Sequence, residues 1–71
     1  MLDSTVFEEN EFRFNAGLRK VERLQGMMEL YEEESGSVPA DIVAEYQDSV
    51  DSLSIFADRF GFSFDAEEYL N

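Results

Sequence analysis

VAEYQDSVDSLSIFADRFG, residues 43–61, carries the strongest structural signal in the chain. Its apolar residues recur at spacings of 3, 4, 3, 4 and 3, which follow one face of a helix and not the alternation of a strand. The members of this stripe are Val43, Tyr46, Val50, Leu53, Ala57 and Phe60. The pattern predicts a helix from about Pro39 to Phe60. We expect Gly61 to close it in the left-handed conformation and Phe62 to fold back on the last turn.

An earlier stripe predicts another long helix. Its members are spaced by 4, 3, 3, 4 and 3 residues and are Phe14, Leu18, Val21, Leu24, Met28 and Tyr31. The start is open between Thr5, with Glu8 three residues later as in a capping box, and Asn10, and the end falls near Glu34. Gly17 and Gly26 each cost about 1 kcal/mol relative to Ala inside a helix. We expect close helix packing to offset that cost.

The only turn-like cluster is ESGSVP, residues 34–39, and so short a linker makes the two long helices antiparallel neighbours. Near the end of the chain, Asp65 is a candidate cap with Glu68 at the third helical position. Phe64 and Tyr69 are spaced as a hydrophobic staple. The sequence therefore predicts an all-α single domain over residues 1–71, built as a two-helix hairpin with a short C-terminal helix.

A chain of 71 residues has a marginal core, and small domains usually add a disulfide, a metal or self-association. Cys and His are absent, which leaves self-association. The first helix also carries a second apolar face with a basic centre, formed by Phe12, Ala16, Arg19, Arg23, Met27 and Leu30. One interpretation is that the terminal segment with Phe62, Phe64 and Tyr69 covers part of it. The favoured one is a homodimer in which two hairpins form a four-helix arrangement.

Catalytic signals are missing from the sequence. There is no His, no Cys and no Gly-rich phosphate loop, and the single Lys20 lies among arginines, so we expect neither an enzyme nor a bound cofactor or metal. The N-terminus lacks a signal-peptide pattern and no apolar run is long enough for a membrane span, which predicts a cytoplasmic protein. A formal net charge of −12 repels nucleic acid and anionic lipid and favours a basic partner.

The negative charge is concentrated in the second part of the chain. Residues 1–28 hold five acidic and four basic side chains, whereas residues 29–71 hold twelve acidic side chains against Arg59. At 100° per residue, five carboxylates of the second helix fall opposite or beside its apolar stripe. We call them the acidic ridge: Asp41, Glu45, Asp48, Asp51 and Asp58. The ridge is about 25 Å long, with one charge per about 5 Å against one per about 3.4 Å along a DNA strand. Two ridges in a dimer, with residues 32–34 and 67–68, would approach phosphate density.

These features predict an inhibitory binding protein that occupies the basic DNA- or RNA-binding site of a target by mimicking nucleic acid, as small inhibitors from phages and mobile elements do. A second hypothesis is an antitoxin- or immunity-type neutraliser that binds through Phe12, Met27 and Leu30. A third is a structural dimeric helical assembly protein. The acidity also fits ordinary solubility or a proteome adapted to high salt. Ile55 points towards the acidic face and is either a partner contact or a lone exposed apolar residue.

Overall fold

The chain folds into three α-helices in a computed structural model that describes the backbone of residues 3–70 and the side chains of residues 7–70. They are α1 (Asp3–Ser35), α2 (Ala40–Phe60) and α3 (Ala66–Leu70). The described residues contain no strand, α1 packs along α2, and α3 packs against α2. The molecule is a rod of 52 × 17 × 17 Å. The predicted hairpin with a short C-terminal helix is confirmed.

The core lies along the α1–α2 seam, where Val21 and Val50 are fully buried. Among residues 7–70, all the buried residues belong to the two predicted stripes, and the others are Phe14, Leu24, Tyr46, Leu53 and Ala57. The last member of each stripe behaves differently, since Tyr31 is 39% and Phe60 43% exposed. Tyr31 lies near the hairpin turn, where α2 is only beginning, whereas Phe60 lies in the last turn of α2 at the edge of its stripe and contacts Phe56 on its own helix.

The helix ends agree in part with the sequence. Because α1 begins at Asp3, the predicted start at Asn10 is wrong, and the side chain of Thr5 lies outside the described residues. Gly36 takes a φ of 80° and its N–H donates to the carbonyl of Glu32 at 3.0 Å, which ends α1 inside the predicted turn cluster. Pro39 precedes the first residue of α2.

The C-terminal end of α2 closes as predicted. Gly61 has a φ of 78°, and its N–H and that of Phe62 both donate to the carbonyl of Ala57, the second at 2.8 Å. This turns the Phe62 ring back, so that it stacks on Phe14 with ring centroids 4.8 Å apart and on Phe56 at 6.1 Å. The chain then leads along the seam towards α3.

A local cap begins α3. The Oδ1 atom of Asp65 accepts the N–H of Glu67 at 3.1 Å, and the rings of Phe64 and Tyr69 stack with centroids 5.2 Å apart. Both the predicted cap and the predicted aromatic staple are therefore confirmed.

The two glycines inside α1 have different surroundings. A Cβ built on Gly17 would lie 2.7 Å from Cδ1 of Leu53, so this glycine lets α2 approach α1 closely. A Cβ on Gly26 would meet nothing within 4 Å. The expectation that helix packing offsets the cost of glycine is confirmed at Gly17 and is wrong for Gly26 within this chain.

Candidate functional site

The acidic ridge stands on the outer side of α2. All five of its carboxylate residues are exposed, because α2 turns its buried positions towards α1 and its opposite face towards solvent. Ile55 lies between Asp51 and Asp58 on this face and is 67% exposed. The ridge is therefore a line of carboxylates on one uninterrupted helix, with an apolar side chain inside it.

One ridge carboxylate has a cation beside it. The Nζ atom of Lys20 on α1 lies 3.9 Å from Oε2 of Glu45, and both side chains are about half exposed. Such a surface pair contributes about 0–1 kcal/mol. Sequence reasoning missed this pair because it depends on the register between α1 and α2.

The rest of the ridge stays without counter-charge. Over residues 7–70, the other ion pair joins Arg13 to Glu9 within α1, also at 3.9 Å. The other ridge members thus have no ion-pair partner in the described part of the chain. In the same region, no three acidic side chains converge closely enough to hold a metal ion. The charges form a spread surface and not a ligand cluster.

Two shallow grooves flank the seam between α1 and α2. The first has a volume of about 400 Å³, lies at the end of α3, and has Tyr46 and Tyr69 in its wall with Glu29, Glu32 and Glu68 at its rim. The second, of about 340 Å³, lies beside the ridge and is lined by Gly17, Lys20, Glu45, Asp48, Ser49 and Ser52. By helical position the two grooves lie on opposite sides of the seam. The chain between α2 and α3 packs only on the side of the first groove. The Lys20–Glu45 pair lies across the second groove, on the side that this chain leaves uncovered.

Tyr46 ties α3 to the core. Its hydroxyl donates to the carbonyl of Tyr69 at 2.7 Å. Burial raises the pKa of Tyr46 above its ordinary value, and nearby Tyr69 raises it further. The hydroxyl is thus kept in its neutral form, which is the form that donates the hydrogen bond.

The second apolar face of α1 is open to solvent. Phe12 is 65% and Leu30 56% exposed, and Ala16, Arg19 and Arg23 are also exposed. Met27 departs from the expectation, because it is partly buried and packs against the core. The face is thus made of two exposed apolar ends around a basic centre.

The terminal segment does not cover this face, so that interpretation is wrong. Phe62 and Phe64 contact the ring of Phe14, on the core side of α1, and Tyr69 stacks on Phe64. The physical reason is the αL turn at Gly61, which directs the chain onto the seam. A helical wheel finds both faces of α1 but gives no information on which one a later loop reaches.

No helix in the described part of the chain combines the length and the apolar character needed to cross a membrane. The chain matches no protein-family model, no curated protein and no solved structure.

Proposed function

We propose that this protein is an inhibitory binding protein that uses the acidic ridge to occupy the nucleic-acid site of a basic cytoplasmic target. The observation that carries the proposal is the exposure of all five ridge carboxylates on one helix, with a cation beside only Glu45 among the described side chains. The ridge presents negative charge at intervals of about one helical turn from Asp41 to Asp51, and Asp58 follows about two turns later. A groove that binds phosphates presents Lys and Arg, which complement such a line.

The cost of the ridge supports a binding role. Like charges on one helix face destabilise the helix by a few tenths of a kcal/mol for each i, i+4 pair, and this chain has a small core. A face that served solubility alone would work equally well with lysines mixed in. Ile55 adds an apolar contact in the middle of the charged surface, where a target can desolvate it.

A homodimer through the second apolar face of α1 is the other part of the proposal. Phe12 and Leu30 remain more than half exposed after the hairpin and the terminal segment have packed. A second copy would cover both, and two hairpins would form a four-helix arrangement. The face carries Arg19 and Arg23 at its centre, which gives it a basic centre in contrast to the acidic ridge.

The same exposed residues favour a second candidate function. A neutraliser of the antitoxin or immunity type would insert Phe12 and Leu30, with the exposed part of Met27, into an apolar groove of its target. A shallow groove lined by Met27, Leu30, Tyr31 and Glu34 lies at this end of α1. The two candidates use opposite sides of the rod and respond differently to salt.

Affinity capture from the source cell, followed by competition with the captured protein's own DNA or RNA, tests the proposal. We expect the nucleic acid and this protein to exclude one another. Affinity should fall at least about 10-fold between about 50 and 200 mM salt, because the contact is mainly electrostatic. The helix-in-groove alternative predicts weak salt dependence.

Charge reversal at the acidic ridge can be compared with an equal charge reversal elsewhere on the chain. Asp41→Lys, Glu45→Lys and Asp48→Lys together should abolish binding and leave helicity intact by circular dichroism. Glu8→Lys, Glu11→Lys and Glu29→Lys make the same change in net charge on exposed positions of α1 and should retain most of the binding. Simultaneous binding of nucleic acid, or equal effects of the two triple variants, would reject the mimic.

A further inference from the structure

The larger of the two grooves beside the seam lies where the last turns of α1, the first turns of α2 and α3 meet. Its floor and walls are apolar or aromatic and consist of Met28, Val43, Tyr46 and Tyr69. Carboxylates from two helices stand at its rim, namely Glu29 and Glu32 of α1 and Glu68 of α3. We call this site the tyrosine groove. Its volume of about 400 Å³ lies at the lower end of the range of small-ligand sites.

The helical register places a carboxylate where the apolar seam would otherwise continue. Residues 18 apart lie at the same angle around a helix, because 18 residues make five full turns. Glu32 therefore holds the angle of Phe14, which is buried in the first half of α1 against the rings of Phe62 and Phe64. At Glu32 the same side of α1 opens into the groove, and the residue is exposed. An apolar floor and a carboxylate thus come together on the core-facing side of the helix.

The rim carboxylates have no counter-charge in the described part of the chain. Over residues 7–70, neither of the two ion pairs includes Glu29, Glu32 or Glu68, and the groove lining contains no Lys or Arg. Arg23 is the basic residue nearest in sequence to Glu29, but it lies about 120° from it around α1. An anion would be repelled here, and a neutral apolar ligand would desolvate the carboxylates without compensation. The groove therefore suits a cation with an apolar stem.

We propose that the tyrosine groove binds an arginine side chain of a basic peptide segment. The aliphatic stem lies on Met28 and Val43, and the guanidinium donates to Glu32 and Glu68 at the rim. Arginine suits the site better than lysine, because its planar group is more weakly hydrated, presents five donors and packs against an aromatic ring such as that of Tyr69. The groove is a separate site from the acidic ridge, with a ligand of its own, so the inference does not rest on the proposed function.

The short helix α3 completes the site. It supplies Glu68 and Tyr69, and the hydrogen bond from Tyr46 to the carbonyl of Tyr69 holds it beside the floor. The Phe64 ring stacks on the Tyr69 ring with centroids 5.2 Å apart, which fixes the position of that wall. Since α1 contributes the other rim carboxylates, a bound arginine joins α1 to α3. The ligand should therefore strengthen the attachment of α3.

Titration with a small peptide tests the site directly. The probe is the tripeptide Ala-Arg-Ala with both ends blocked, so that the guanidinium is its only charge, and binding is followed by NMR of the backbone amides. We expect saturable shifts over residues 25–32, 43–47 and 66–70, with a dissociation constant on the order of 1 mM. Amide exchange over residues 66–70 should slow when the peptide is bound.

Two matched peptides separate the charge of the probe from its shape. Citrulline in place of arginine keeps the shape and removes the charge, and we expect no saturable binding. Lysine in place of arginine keeps the charge and loses the planar group, which should weaken binding at least about 3-fold.

Neutralising the rim gives a matched pair of protein variants. Glu32→Gln with Glu68→Gln should weaken binding of the arginine peptide at least about 10-fold, because charge-assisted hydrogen bonds are the strong ones. Glu8→Gln with Glu11→Gln makes the same change in net charge in the first half of α1 and should leave the affinity within about 2-fold of the wild type. Circular dichroism should show equal helicity for both variants, since every changed residue is exposed.

The outcomes separate a specific site from general attraction to an acidic protein. Equal effects of the two double variants, or shifts that follow the acidic ridge, would overturn the proposal. Equal affinity of the citrulline or the lysine peptide would overturn the assignment to arginine. None of these results bears on the acidic ridge, whose test is competition with nucleic acid, and failure of that competition would leave the tyrosine groove unaffected.

Discussion

The hydroxyl of Tyr46 donates to the carbonyl of Tyr69 across 2.7 Å, joining the second turn of α2 to α3, a helix of five residues. This bond and the stacked rings of Phe64 and Tyr69 hold a helix that is too short to be stable alone. The attachment of α3 therefore depends on few groups.

Tyr46→Phe should loosen α3 and leave the hairpin folded. The variant keeps the buried ring and loses one hydrogen bond, which contributes about 0.5–1.5 kcal/mol. We expect faster amide exchange over residues 66–70 and a small drop in the free energy of unfolding. Unchanged exchange in α3 would contradict this role.

Alkaline pH should weaken the folded state through the same group. The pKa of Tyr46 is raised by folding, so its contribution to stability is fully present below the unfolded value of about 10 and is lost as pH rises through the folded value. Urea unfolding at about pH 8 and about pH 10.5 gives the free energy of unfolding at each pH. We expect it to fall more between the two pH values for the wild type than for Tyr46→Phe. Equal losses would mean that Tyr46 does not contribute.

The two glycines of α1 form a matched pair for stability. Gly26→Ala should raise the free energy of unfolding of the monomer by about 1 kcal/mol, because only helix propensity changes. Gly17→Ala gains the same propensity but pushes its Cβ against the side chain of Leu53. We expect it to be clearly less stable than Gly26→Ala in chemical denaturation at low protein concentration. Equal stabilities would show that the seam relaxes without cost.

Phe62 should matter more than its neighbour Phe60. The Phe62 ring stacks on Phe7, Phe14 and Phe56, whereas Phe60 is 43% exposed and contacts Phe56. Phe62→Ala should cost about 2–3 kcal/mol and Phe60→Ala about 1 kcal/mol or less. Thermal unfolding of both variants gives the comparison, and a larger effect at Phe60 would contradict it.

Local rules predicted most of the fold. The 3 and 4 spacings identified every residue that is buried in the described part of the chain, and the turn at Gly61 and the cap at Asp65 follow from residues close in sequence. The failures involve tertiary geometry. Tyr31 continues its stripe past the packed seam and stays partly exposed. The capping patterns left the start of α1 open between Thr5 and Asn10, and the helix, which begins at Asp3, lies closer to the first.

The same division applies to the candidate site. The exposure of the ridge carboxylates follows from helical period alone, and so does that of Phe12 and Leu30. The Lys20–Glu45 pair and the path of the terminal segment follow from how α1 and α2 dock. Periodicity contains no information on either.

The acidic ridge of α2 and the second apolar face of α1 face opposite ways on a rod 17 Å thick, and this gives the proposed dimer a defined valency. Its two ridges point outward in opposite directions, so they do not add up to one surface of phosphate density, contrary to the expectation from the sequence. One compact target therefore reaches only one ridge. The expected complex contains two chains and two targets. A target that is itself multimeric would be bridged into larger particles, and the second binding event would then proceed at a raised effective concentration. Light scattering on mixtures of this protein with a multimeric target, at varied molar ratios, should therefore show the largest particles where the two numbers of binding sites are about equal.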